Sequence, residues 1–64
     1  MEENAFDKEL VKINVEEFSR LQSYMSLCEK DSMAYKTMKR RYIELKVILT
    51  ALEIDFTELD IINE

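Results

Sequence analysis

The chain contains neither glycine nor proline. Those two residues supply the positive-φ corners, tight hairpin turns and rigid kinks on which short-stranded β folds depend. A sequence without them is directed toward helices joined by polar links, since such connections need neither. An all-α fold is the first expectation.

Length adds a second constraint. The 64 residues form one small domain, 1–64, and a domain near this size buries only about 60% of the surface its unfolded chain exposes. Small domains commonly compensate with disulfides, a metal or a partner subunit. With one cysteine and no histidine, an internal disulfide and the common zinc sites are excluded, so no metal and no cofactor is expected. Self-association remains, with a dimer as the expected form. A hydrophobic fraction of 47% beside 36% charged residues belongs to a folded protein rather than a disordered one. Glu44 and Lys46 interrupt the longest apolar stretch, which argues against a membrane span. The acidic Glu2 and Glu3 are unlike a signal peptide, and a lone Cys28 fits the reducing cytoplasm, the expected location.

Helix starts are written clearly. Asn14-Val15-Glu16-Glu17 has the form of a capping box, with Ile13 and Phe18 placed as its hydrophobic staple. The same grammar recurs at Asp55-Phe56-Thr57-Glu58, with Ile54 and Leu59 as the staple pair. Asp31 and Ser32 are the cap candidates between them. These signals predict helices over about residues 15–29, 32–53 and 56–62, preceded by a disordered or frayed segment 1–7.

Apolar spacing then assigns faces. Phe18, Leu21, Met25 and Cys28 recur at three and four along the first helix. Tyr35, Met38, Tyr42, Leu45, Leu49 and Leu52 keep heptad spacing along the second. That second helix also carries a strip of Ile43, Val47, Ala51 and Ile54 on another side. One neighbouring helix covers one strip but hardly both. The expected architecture is an antiparallel two-helix hairpin with a short third C-terminal helix, packed as a homo-oligomeric helical bundle.

Function is argued mostly by exclusion. Without histidine, Cys28 lacks its usual partner for thiolate chemistry, and without glycine there is no phosphate-cradling loop. No enzyme activity is expected. The expected role is a non-catalytic protein–protein interaction, accessory or regulatory module that binds an unidentified protein. Its surface would be the seam Tyr35, Met38, Tyr42, Leu45, Leu49 and Leu52, with Ile43, Val47 and Ile54 beside it; tyrosine and methionine suit such contacts. A structural oligomer with no other partner is a further possibility.

Charge and the N-terminal segment open a second reading. The net charge is −5, yet Lys36, Lys39, Arg40, Arg41 and Lys46 cluster on the second helix. Val11, Ile13 and Val15 alternate as in a short strand. Strand, capped helix, polar turn and second helix over about residues 8–46 resemble the ribbon-helix-helix family. That resemblance implies a dimeric DNA-binding transcriptional regulator, with paired strands in the major groove. Lys12 and Asn14 would face DNA, and Lys36, Lys39, Arg40 and Arg41 would lie near phosphates. The acidic overall balance weighs against nucleic acid as the partner.

Overall fold

The computed structural model describes residues 7–64, and those residues form two helices and no strand. Helix α1 runs Lys8–Met25 and helix α2 runs Met33–Ala51. They pack against each other as a hairpin, and a non-helical tail from Leu52 onward folds back along them. The expected disorder of 1–7 falls almost wholly outside the described residues.

The N-terminal boundary corrects the sequence reading. Asp7, in an extended conformation, caps α1: its Oδ1 accepts the Glu9 amide at 2.8 Å. Asn14 is therefore an interior helix residue, buried, with its Nδ2 donating to the Leu10 carbonyl at 2.8 Å. The helix starts from the earlier cap, and Val15 packs against the core. Residues 8–13 are helix, so among the described residues there is no strand of the kind that a ribbon-helix-helix arrangement needs. The alternative fold is set aside on that observation.

At its other end α1 stops earlier than residue 29. The Leu27 and Cys28 amides switch to the Tyr24 and Met25 carbonyls at 3.0 Å, a tightened last turn. Ser23 and Ser26 hydroxyls bond back to carbonyls of the same turn region and compete with continued helix. The link then closes at Ser32, whose Oγ accepts the Tyr35 amide at 3.1 Å, as a cap should. One of the two expected cap candidates thus starts α2.

The end of α2 shows how a chain without glycine terminates a helix. The Ile54 amide donates to the Leu49 carbonyl at 2.9 Å and the Glu53 amide to the Thr50 carbonyl at 3.0 Å. This is a Schellman motif, whose pivotal residue takes the left-handed conformation and is usually glycine. Here Glu53 occupies it, at φ 62°. Ile54 completes the motif by packing on the core beside Leu49.

The predicted third helix is absent. Asp55 does cap, accepting the Thr57 amide at 3.0 Å and the Thr57 hydroxyl at 2.7 Å. One turn follows, in which the Leu59 and Asp60 amides both reach the Phe56 carbonyl. The turn goes no further because Gln22 of α1 takes the backbone groups a helix would pair internally. Its Oε1 accepts the Ile61 and Ile62 amides at 2.7 and 3.0 Å, and its Nε2 donates to the Leu59 carbonyl at 2.9 Å. A helix of two turns has too few bonds to offset nucleation, so a tertiary partner decides its fate.

The core lies between the helices and under the tail. Phe18, Met25, Tyr42, Leu45 and Leu49 are fully buried, with Tyr35 nearly so. The Phe18 ring stacks on Tyr42, centroids 5.6 Å apart at 10°, and meets Phe56 of the tail edge-on at 5.8 Å. Ile54, Phe56, Leu59 and Ile62 supply the tail's apolar contribution.

Candidate interaction surface

The helix pair has two flanks, and side-chain pairing distinguishes them. On one flank Gln22, Tyr35, Tyr42 and Lys46 hold the tail. On the other, Arg41 of α2 grips Glu17 of α1 in a two-point bridge, Nε–Oε2 at 2.8 Å and Nη2–Oε1 at 3.0 Å. Arg41 also reaches Glu44 at 3.2 Å. Bonding to Arg41 holds the Glu17 carboxyl below the usual range, and the two carboxylates raise Arg41 in return.

The tail flank is a continuous polar network around an apolar base. Tyr42 donates to Asp60 Oδ1 at 2.7 Å and its oxygen accepts the Glu64 amide at 3.0 Å. Lys46 lies 3.4 Å from Asp60 Oδ2 and 4.9 Å from the Tyr42 ring centroid. Burial pushes the Asp60 carboxyl up, but the Asn63 amide, the Tyr42 hydroxyl and Lys46 together bring it below its ordinary value. Burial likewise disfavours charge on Lys46, and its bonds to Tyr42 and Asp60 reverse that, raising it. At the tail's last residue, Glu64 meets Lys39 at 2.9 Å, Lys30 at 3.2 Å and the Tyr35 hydroxyl at 3.1 Å. Those three partners hold its carboxyl at about 2. Burial and the adjacent Glu64 charge push the Tyr35 phenol up.

The expected surface residues divide sharply. Tyr35, Tyr42, Leu45, Leu49 and Leu52 are buried and Met38 is half-buried, against α1 and the tail of the same chain. The heptad seam is this chain's own core. Ile54 is also partly covered. Ile43 and Val47 remain open, 48% and 65% exposed. With Ala51 and Phe56 they line an open apolar groove of about 640 Å³ where α2 meets the tail.

The basic cluster divides in the same way. Lys39, Arg41 and Lys46 are spent on Glu64, Glu17 and Asp60, while Lys36 and Arg40 are exposed. Lys12 is exposed on α1, and Asn14 is turned inward. These seven residues therefore do not form one phosphate-facing patch. Cys28 is half-buried with its Sγ 3.5 Å from the Tyr24 carbonyl. Among the described residues no group of three potential ligands could hold a metal, and no helix is long and apolar enough to cross a membrane.

Sequence reasoning missed Gln22, the residue that holds the tail. A signal was present: Gln22 is a polar position on the same helical face as Phe18 and Met25, and a polar residue there needs a partner. Set against known families, curated proteins and solved structures, the chain matches none of them.

Proposed function

We propose that this protein is a non-catalytic interaction module that receives an amphipathic helix of another protein in the groove of Ile43, Val47, Ala51 and Phe56. The observation that carries the reading is this groove, apolar and open in a chain that has otherwise closed its core. Exposed apolar surface rimmed by polar residues is the usual mark of a protein-binding site. The groove also has a charged end. Lys36, Arg40, Ile43 and Val47 follow at four, three and four along α2, which aligns two exposed bases with the apolar patch. An apolar helix face with acidic residues at one end complements that arrangement.

The test is selection from a random library of helix-forming peptides, read out against the wild-type chain and Val47→Glu. Acidic amphipathic sequences should be enriched, and their binding should fall with salt and be lost in Val47→Glu at unchanged helicity. Failure to enrich any sequence, or equal binding to Val47→Glu, overturns the reading.

A further inference from the structure

The flank opposite the tail carries a pattern unrelated to the core seam. Along α1, the side chains of Leu10, Ile13, Glu17, Arg20 and Tyr24 recur at alternating intervals of three and four, and Leu27 in the following turn continues the series. These are the intervals of a coiled-coil seam. Yet the core-facing residues of the same helix are Asn14, Phe18, Gln22 and Met25. The second stripe faces solvent: Leu10 is 46% exposed, Ile13 54%, Tyr24 54% and Leu27 84%. Four large apolar side chains in a heptad register on the open side of a helix call for a covering partner.

The order of residue types along the stripe identifies that partner. It reads apolar, apolar, acid, base, apolar, apolar. Placing a second α1 antiparallel to the first, about an axis between Phe18 and Ser19, sets Leu10 opposite Leu27 and Ile13 opposite Tyr24. The same operation sets Glu17 opposite Arg20, twice. A parallel copy would instead set Glu17 against Glu17 and Arg20 against Arg20, a repulsive arrangement. The stripe is self-complementary under one symmetry and self-repelling under the other, as expected of a two-fold interface.

We infer that α1 is the dimerisation helix, pairing antiparallel with α1 of a second copy through Leu10, Ile13, Glu17, Arg20, Tyr24 and Leu27. Arg20 is exposed and forms no salt bridge among the described residues; its charge acts on Glu17 of its own chain only at a distance, so its guanidinium donors are open to the copy. Glu17 already accepts from Arg41 through both oxygens, and each oxygen retains a lone pair for a further donor. The Arg41 bridge holds the Glu17 carboxylate in place beforehand, which lowers the entropy lost on pairing. The stripe extends about 25 Å along the helix. The tail and the groove of Ile43 and Val47 lie on the other flank, so this surface is independent of the one proposed for a foreign helix.

Two experiments decide it. First, sedimentation of the wild-type chain across a broad concentration range should show a monomer–dimer equilibrium, and Arg20→Glu should weaken it by at least about tenfold at unchanged helicity. Mixing Arg20→Glu with Glu17→Lys should restore a dimer, now mixed, because each like-charge contact becomes an opposite one. Second, Ile13→Cys combined with Tyr24→Cys in a Cys28→Ser background should cross-link on mild oxidation. Peptide mapping should find position 13 joined to position 24 of the other chain. Bonds of 13 to 13 and 24 to 24 would mean parallel pairing and overturn the inference. So would a chain that stays monomeric at all concentrations, or a dimer insensitive to Arg20→Glu. None of these outcomes touches the Val47→Glu result.

Discussion

Replacing Gln22 with methionine removes a set of hydrogen bonds while keeping side-chain length and volume nearly constant. Gln22 is 1% exposed. It makes three long-range bonds, from the Ile61 and Ile62 amides to its carbonyl oxygen and from its amide nitrogen to the Leu59 carbonyl. A net contribution of about 1 kcal/mol each would give about 3 kcal/mol. Ile61 is 61% exposed, so a small displacement lets its amide bond to water, and the expected cost is nearer 2 kcal/mol. That is a large part of the roughly 3–10 kcal/mol expected for a domain of this length. The cost should fall first on the tail, through local opening rather than global unfolding. Native-state hydrogen exchange by NMR is the assay. In Gln22→Met the Ile61 and Ile62 amides should exchange about thirtyfold faster, while amides in the middle of α2 change less. Gln22→Glu is the informative companion: it keeps the acceptor for both amides and loses only the donor to Leu59. If Gln22→Met leaves Ile61 and Ile62 as protected as in the wild type, the tail is not held by this side chain and the account of the missing third helix fails.

Other perturbations probe separate contacts. Glu53→Gly should stabilise the chain by about 0.5–1 kcal/mol in urea titration, because glycine takes the left-handed conformation at little cost, even after its greater unfolded-state entropy is counted. Acid should loosen the tail: Lys39, Lys30 and Tyr35 hold the Glu64 carboxyl at about 2 against an ordinary 4.5, and the Asp60 carboxyl is also lowered. Stability from depressed carboxyls is complete above the ordinary value and lost as pH falls toward the folded one, so tail chemical shifts should move between about pH 4.5 and 2. Tyr42→Phe should cost about 1–2 kcal/mol and speed exchange at the Glu64 amide, since the hydroxyl both donates to Asp60 and accepts from Glu64.

The hairpin was legible in the sequence because its signals are local and redundant. Heptad spacing from Tyr35 to Leu52 marked residues that are buried or, at Met38, half-buried, and Ser32 announced the start of α2. The misread boundaries share a different cause. Asn14 with Glu17, and Asp55 with Glu58, both satisfy the grammar of a capping box. At Asn14 the side chain instead bonds back to Leu10 within a longer helix, and Glu17 belongs to Arg41, far along the chain. At Asp55 the cap forms, but continuation depended on amides that Gln22 captures from α1. Local sequence carries the first half of each signal, while the outcome lies in residues distant in sequence. The seam was read correctly as apolar and assigned to a partner because the tail's capacity to cover it was not apparent. That capacity comes from an irregular segment with no periodicity to recognise.

The Gln22 bonds also impose an order in time. Gln22 sits on α1, and its partners at Leu59, Ile61 and Ile62 are synthesised 37 to 40 residues later. The helices can form and meet through contacts close in sequence, which fold fast. Until those tail residues leave the ribosome, however, that amide side chain must remain hydrated at the edge of an open core, beside Tyr42 and Phe18. The nascent hairpin therefore passes through a stage in which aromatic surface is bare, and its completion is timed by the synthesis of the tail rather than by the speed of helix formation.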